Sequence, residues 1–171
     1  MTSTISFLEE VFPGLDAEAS ASRSPAQAYI GIDPGVSGAI ADWDGWVVDM
    51  PPNPRDLWQV LKARGYGARV VIETPGLRPG GGVHASFKIG QGYGQCIGVM
   101  AALSIPYVVV TPAKWKAHYN LLMPKATAGE KKEASRALAR SLWPDAPLAR
   151  KMDHGRAEAL LLAEYGRRLS L

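Results

Sequence analysis

Short apolar runs alternate with longer amphipathic stretches along most of this chain, and the alternation sets the expected elements. Tyr29–Asp33 reads as a first strand, residues 38–43 as a second and residues 46–50 as a third. Asp44-Gly45 supplies a hairpin turn between the second and third. Pro51-Pro52 breaks the chain, Asn53 is a suitable cap, and Pro54 suits the first position of a helix. That helix runs from Pro54 to Arg64, with Leu57, Trp58 and Leu61 on one face, which assigns Trp58 to the core. Val70 to Glu73 is a continuous apolar run of the kind found in a strand covered on both faces. A Gly/Pro loop, residues 74–82, precedes a helix from about Ser86 to Leu103. Gly90, Gly92, Gly94 and Gly98 in that helix point to close approach of a backbone or of nucleic acid. Tyr107 to Val110 reads as another buried strand, and Pro112 to His118 as a short helical turn. A polar loop, residues 123–129, leads to a helix from Lys131 to Trp143, and a terminal helix spans Asp153 to Arg168.

Three antiparallel strands followed by alternating helix and strand predict an α/β fold, with a mixed sheet covered by helices. Residues 1–27 read as an extension: 7–12 form a short helix stopped by Pro13-Gly14, and the Ala/Ser-rich stretch that follows has linker composition. The folded domain is expected over residues 28–171. At 171 residues the chain can bury a substantial core. No run approaches the roughly 20 apolar residues of a membrane helix. Residues 1–16 carry Glu9, Glu10 and Asp16 but no basic residue, which disfavours a signal or transit peptide. The single cysteine, Cys96, fits a reducing compartment and a small buried thiol.

Charge changes the picture more than composition does. Residues 1–111 hold 7 Lys+Arg against 10 Asp+Glu, whereas residues 112–171 hold 12 against 6. A basic half beside a few acids suits a polyanionic partner, although a solvated basic helix face gives the same count.

Four acids stand where carboxylates are costly without a partner. Asp33 and Glu73 each end an apolar strand, and Asp153 and Glu158 open the terminal helix. Five residues along a helix leave Asp153 and Glu158 about 140° apart, so both reach one point only if Asp153 is the N-cap and turns back. Capping alone also accounts for Asp153, and His154 is its substitute. His84 and His118 lack partners at metal-ligand spacing. An all-oxygen cluster favours Mg²⁺ or Mn²⁺ over zinc.

Taken in order, several motifs resemble the RuvC-type Holliday-junction resolvases, most nearly the branch of phage enzymes and the plant chloroplast resolvase. They are Gly31-Ile-Asp-Pro-Gly35 with Gly38-Ala39, Ile72-Glu73, Gly90-Gln-Gly-Tyr-Gly94 and Pro112-Ala-Lys-Trp-Lys116. Lys132 with Ser135-Arg136, and the stretch Asp153 to Ala163, complete the set. The resemblance covers residues 28–166. It departs from the bacterial pattern at the terminal helix, where the residue one turn before Glu158 is Gly155 rather than an acid or histidine.

The resemblance implies a ribonuclease H-like sheet of five strands and a homodimer making paired symmetric nicks in four-way DNA junctions, with 5′-phosphate and 3′-hydroxyl products. It places two Mg²⁺ ions on Asp33, Glu73, Asp153 and Glu158, with Mn²⁺ able to substitute and no organic cofactor. Asp33 would bridge both ions, and Lys132 would stand near the scissile phosphate. DNA contacts fall to Arg78, Gly80, Gly81, Gly82, Lys88, Gln91 and Tyr93 beside Glu73, and to Lys114, Lys116, Lys125 and Arg136 along the arms. Ile97, Met100 and Ala101 would pack across a two-fold axis, although an ordinary core position is the stronger reading of each. A nuclease of the same fold acting on RNA–DNA hybrids or flaps, and a non-catalytic junction binder, remain as alternatives. The expected setting is the cytoplasm of a bacterial or phage-infected cell, with a chloroplast less favoured.

Overall fold

The computed structural model describes residues 28–76 and 82–171, so the expectations for residues 1–27 lie outside the described residues. Five strands form one sheet: β1 (Tyr29–Asp33), β2 (Ala39–Asp42), β3 (Val47–Asp49), β4 (Arg69–Glu73) and β5 (Tyr107–Val110). Their spatial order is β3-β2-β1-β4-β5. The β1–β2 and β2–β3 pairs are antiparallel, and β1–β4 and β4–β5 are parallel. The expected mixed five-stranded sheet is therefore present, with β1 at its centre. Five helices among the described residues flank it: α1 (Pro54–Arg64), α2 (Val83–Ala102), α3 (Pro112–His118), α4 (Ala128–Leu142) and α5 (His154–Leu169).

Local chemistry explains most boundaries. Gly45 takes φ +102° in the hairpin, where Asp44 Oδ1 accepts from the Trp46 amide at 3.0 Å. Asn53 caps α1 through the Asp56 amide, with Pro54 opening the helix. Thr127 and Glu130 form a reciprocal capping box, so α4 starts at Ala128, inside the stretch expected to be a loop. The capping box was readable as Thr127-x-x-Glu130, and the Gly129 within it pulled the expectation toward a loop.

Each face of the sheet has its own core. Ile30, Ile32, Val70 and Ile72 pack with Leu57, Val60 and Leu61 of α1 and with Cys96 and Met100 of α2. Ala39, Ala41, Val71 and Val110 face Trp115, Ala139 and the apolar side of α5. Each fully buried Ile or Leu contributes on the order of 1.5–3 kcal/mol. Helix α5 lies directly on β1. A methyl on Gly31 would overlap the Ala159 carbonyl oxygen, and one on Gly155 would overlap the Ser37 carbonyl oxygen. These two glycines bring the start of α5 down onto the turn that follows β1.

Two core expectations change, and the core reading of Met100 holds. Trp58 is 38% exposed, with the Lys62 ammonium 4.6 Å from its ring centroid, because it points off the buried face that Leu57, Val60 and Leu61 define. Strand β5 is an edge strand, and its Tyr107, Val108 and Val109 are partly exposed. Met100 is wholly buried in the α1/α2 core and Ile97 packs against it, which removes Met100 from any two-fold contact, while Ala101 stays exposed.

Candidate functional site

Parallel pairing of β1 with β4 puts the C-terminal ends of both strands side by side, with Ile32 opposite Ile72. Asp33 and Glu73 are the next residues, so neighbouring strand ends deliver two carboxylates to one edge. Helix α5, pressed onto β1 by Gly31 and Gly155, brings Glu158 to the same place. The three acids act on one another electrostatically. Burial pushes the Asp33 carboxyl up to about 6, and Glu158 adds to the rise. Burial pushes Glu73 up to about 7, with Glu158 and Asp33 also raising it.

Short donors oppose this cost. The Gly35 amide donates to Asp33 Oδ1 at 3.1 Å, within the Pro34–Gly38 turn. Trp115 Nε1 donates to Glu73 Oε2 at 2.5 Å. Lys116 Nζ stands 2.9 Å from Glu158 Oε1, which also accepts from Ser135 Oγ at 3.3 Å. Each carboxylate thus keeps one oxygen (Asp33 Oδ2, Glu73 Oε1, Glu158 Oε2) outside these bonds. Among the described residues no group of three or more His, Cys, Asp and Glu side chains stands arranged to hold a metal ion. The donor chemistry nevertheless fits a hard divalent cation. Three half-buried carboxylates lie within reach of the Lys116 ammonium, and each retains a free oxygen.

Asp153 is not among them. It is the N-cap of α5 but makes no capping bond. Its oxygens instead accept from the Arg150 amide at 2.6 Å and Arg150 Nε at 2.7 Å, and its side chain has no exposed surface. Arg150 and Arg156 also grip Asp49 of β3. The expectation that Asp153 turns back toward Glu158 is therefore corrected, because this guanidinium–carboxylate cluster outcompetes the cap. His154 feels the charge of one of the acids, Glu158. Its Nε2 lies 3.4 Å from Ser37 Oγ, and both Lys132 and Glu158 act on its ring. Burial, then Lys132, holds the imidazole below the usual histidine range, with Glu158 pulling the other way.

The expected DNA contacts divide. Arg78, Gly80 and Gly81 lie outside the described residues. Gly82 caps α2, and Lys88 and Gln91 are exposed on that helix. Gly92 packs against the Pro34 carbonyl, tying α2 to the Asp33 turn. Tyr93 is partly buried against the α1/α2 core, so it is not the open contact expected of it. Lys114, Lys125 and Lys132 are exposed, and the Lys132 charge reaches Asp33. Lys116 is turned inward onto Glu158, and Arg136 is engaged by Glu133 and the Arg150 carbonyl. Both departures have one cause: a carboxylate nearby is a stronger partner for a cation than solvent. Sequence reasoning gave no role to Trp115 or Ser135, although both stand in motifs it quoted. Both are buried, so the polar hydrogen of each needs an acceptor inside the fold, a need that the sequence alone did not reveal.

No family model matches the chain. A 96-residue stretch is 33% identical to "Holliday junction resolvase MOC1, chloroplastic" of Chlamydomonas reinhardtii, covering 55% of this chain. The chain spans about a tenth of the length of that relative. The fold matches Thermus thermophilus RuvC in complex with a Holliday junction substrate, with TM-score 0.54 at 19% identity over 84% of this chain and 96% of that one. A second Thermus thermophilus RuvC structure gives TM-score 0.50 at 18% identity over the same shares. With its central β1 between antiparallel β2 and parallel β4, and α5 laid across them, the chain has the ribonuclease H-like fold of RuvC.

Proposed function

We propose that this protein is an endonuclease that resolves four-way DNA junctions by paired nicks. One observation carries the reading: Asp33, Glu73 and Glu158 converge at the C-terminal ends of β1 and β4, on a RuvC fold. Sequence likeness to a chloroplastic Holliday junction resolvase points to the same substrate. A protein that only bound DNA would gain nothing from half-buried carboxylates facing phosphate.

Asp33, Glu73 and Glu158 would hold Mg²⁺ or Mn²⁺, two ions in each site, with His154 rather than Asp153 as the fourth member. Bound divalent ions supply the charge that polarises a phosphodiester and an attacking water. The remaining steps belong to the chain. Glu73 and Asp33 fix the edge at which the scissile phosphate sits, between the turn at Pro34 and the start of α2. Lys132 offsets charge developing on the phosphate. Lys88, Gln91, Lys114 and Lys125 bind backbone around it, giving an affinity that falls steeply with salt. Hydrolysis in this arrangement leaves 5′-phosphate and 3′-hydroxyl ends.

The discriminating experiment offers purified protein and Mg²⁺ a labelled mobile junction, linear duplex, a flap and an RNA–DNA hybrid. Symmetric cuts confined to the junction are expected. Preferential cutting of the hybrid or flap would replace this reading with another nuclease of the same fold.

Paired nicking requires two sites, and the partner we propose is a second copy. Helix α2 leaves Val83, Phe87, Gly90, Gly94, Gly98 and Ala101 exposed at three- and four-residue spacing. The glycines meet nothing within 4 Å and would admit a close helix neighbour. Wild type is expected to sediment as a dimer, and Phe87→Glu as a monomer that leaves junctions singly nicked. A monomeric wild type that still makes paired cuts would rule this interface out.

A further inference from the structure

We propose that Trp115 is a positioning residue for Glu73: its indole N–H fixes the carboxylate so that Oε1 is presented to the cluster shared with Asp33 and Glu158. This rests on the nuclease reading, and deepens it by adding a residue that touches neither substrate nor metal. The geometry begins with the sheet. Glu73 pairs with Val110 at the end of β5, and α3 starts two residues later. Thr111 caps that helix through the Lys114 amide, and Pro112 occupies its first turn, so the chain direction after Val110 is set. Trp115 follows one turn on, wholly buried in the core beneath α5, with Tyr119 edge-on at 6.4 Å.

A buried indole N–H needs an acceptor, and satisfying that need is the purely structural account. The rest of the molecule argues for more. Trp143 gives its N–H to the Trp43 carbonyl at 2.9 Å, and Tyr119 gives its hydroxyl to the Leu161 carbonyl at 3.1 Å. Where packing alone is at stake, backbone carbonyls suffice. Trp115 alone among these three donors is spent on a carboxylate that the fold has desolvated. Its neighbour Lys116 holds Glu158 from the same short helix. Consecutive residues of α3 thus hold two of the three acids, each by a single oxygen, leaving the other oxygen free. Glu has three side-chain torsions, and loss of its fixed donor would leave Oε1 to sample several positions. Ligand groups need tight preorganisation to bind and act.

The test uses the full chain with Trp115→Phe, and with benzothienylalanine at 115, which keeps the indole shape and lacks the N–H. Three quantities are read: Mn²⁺ affinity by calorimetry without DNA, single-turnover cleavage of the mobile junction, and junction affinity in EDTA. Both replacements are expected to weaken Mn²⁺ binding roughly tenfold, in line with loss of a ligand-orienting partner. They should slow cleavage by a similar or larger factor and leave junction affinity within twofold. If Trp115→Phe does not fold, the isostere decides. Mn²⁺ affinity within twofold of wild type in the isostere would overturn the proposal, since packing alone would then explain Trp115. Wild type that binds Mn²⁺ but cuts nothing, with the isostere losing that binding, would keep the positioning role and reject the nuclease reading. Wild type that cuts junctions, with the isostere cutting equally well, would do the reverse. A wild type that binds no Mn²⁺ would reject both.

Discussion

Glu73→Gln is expected to cut junctions at least about a thousandfold more slowly than wild type, the scale seen when one member of a concerted catalytic group is removed. It should also bind them no less tightly. The substitution is nearly isosteric and keeps an oxygen that can accept from Trp115 Nε1, so the fold around β4 is retained. What disappears is a charge. Glu73 sits in an environment that burial makes hostile to ionisation, with Glu158 and Asp33 adding repulsion. A carboxylate kept there at such cost serves the cations it can hold, and a neutral amide holds a divalent ion far less well. Phosphate binding follows a different rule. Removing a negative charge beside the DNA path lowers repulsion, so affinity measured in EDTA should be equal or higher. Single-turnover cleavage and gel-shift titration on the same junction separate the two effects. Cleavage within tenfold of wild type would sink the metal-site reading of Glu73, whatever the binding result.

Much of this site was legible before any coordinates, for a specific physical reason. Asp33 and Glu73 follow apolar runs that read as central strands, and parallel neighbours end at the same edge of a sheet. Position in sequence therefore translated directly into position in space. Glu158 was legible from the helix face it shares with Leu161. Asp153 was not, because its fate depends on Arg150, Arg156 and Asp49, and the last lies on a strand about a hundred residues away. Periodicity carries no information about which of two cations a buried carboxylate will choose. Lys116 and Arg136 escaped for the same reason: a basic residue on a helix reads as solvated until the acid opposite is known. β5 read as buried since Tyr107 to Val110 is wholly apolar, yet strand order, not composition, made it an edge.

The thermal stability of the metal-free protein should fall as pH rises from 5 to 8. Asp33 titrates near 6 and Glu73 near 7 in the folded chain, against 3.8 and 4.5 without the fold's influence. Between roughly pH 4 and 7 the folded state therefore holds protons that the unfolded chain has released, and stability declines with pH across that window. Above about 7 both carboxyls are ionised in either state and the loss is complete. Two units on one buried group correspond to about 3 kcal/mol, and the two acids share Glu158 as a neighbour, so we take about 3 kcal/mol for the pair. In a chain of this size that is a drop of roughly 6–12 °C in Tm. His154 works in the opposite sense: held below its usual range, it costs stability as pH falls through that range. Asp49, Glu130 and Glu164, all lowered, lose their contribution only at more acidic pH. A comparison with Asp33→Asn removes these background groups. The variant should be more stable than wild type by a margin that widens from pH 5 to pH 8. Millimolar Mg²⁺ should restore wild-type Tm at pH 8 far more than at pH 5, because metal must displace protons from the same oxygens. Asp33→Asn should lose most of that Mg²⁺ response. A margin that stays constant with pH, or a variant that gains as much from Mg²⁺ as wild type, would mean that Asp33 is neither desolvated nor a ligand. The convergence of strand ends would then be an accident of the sheet.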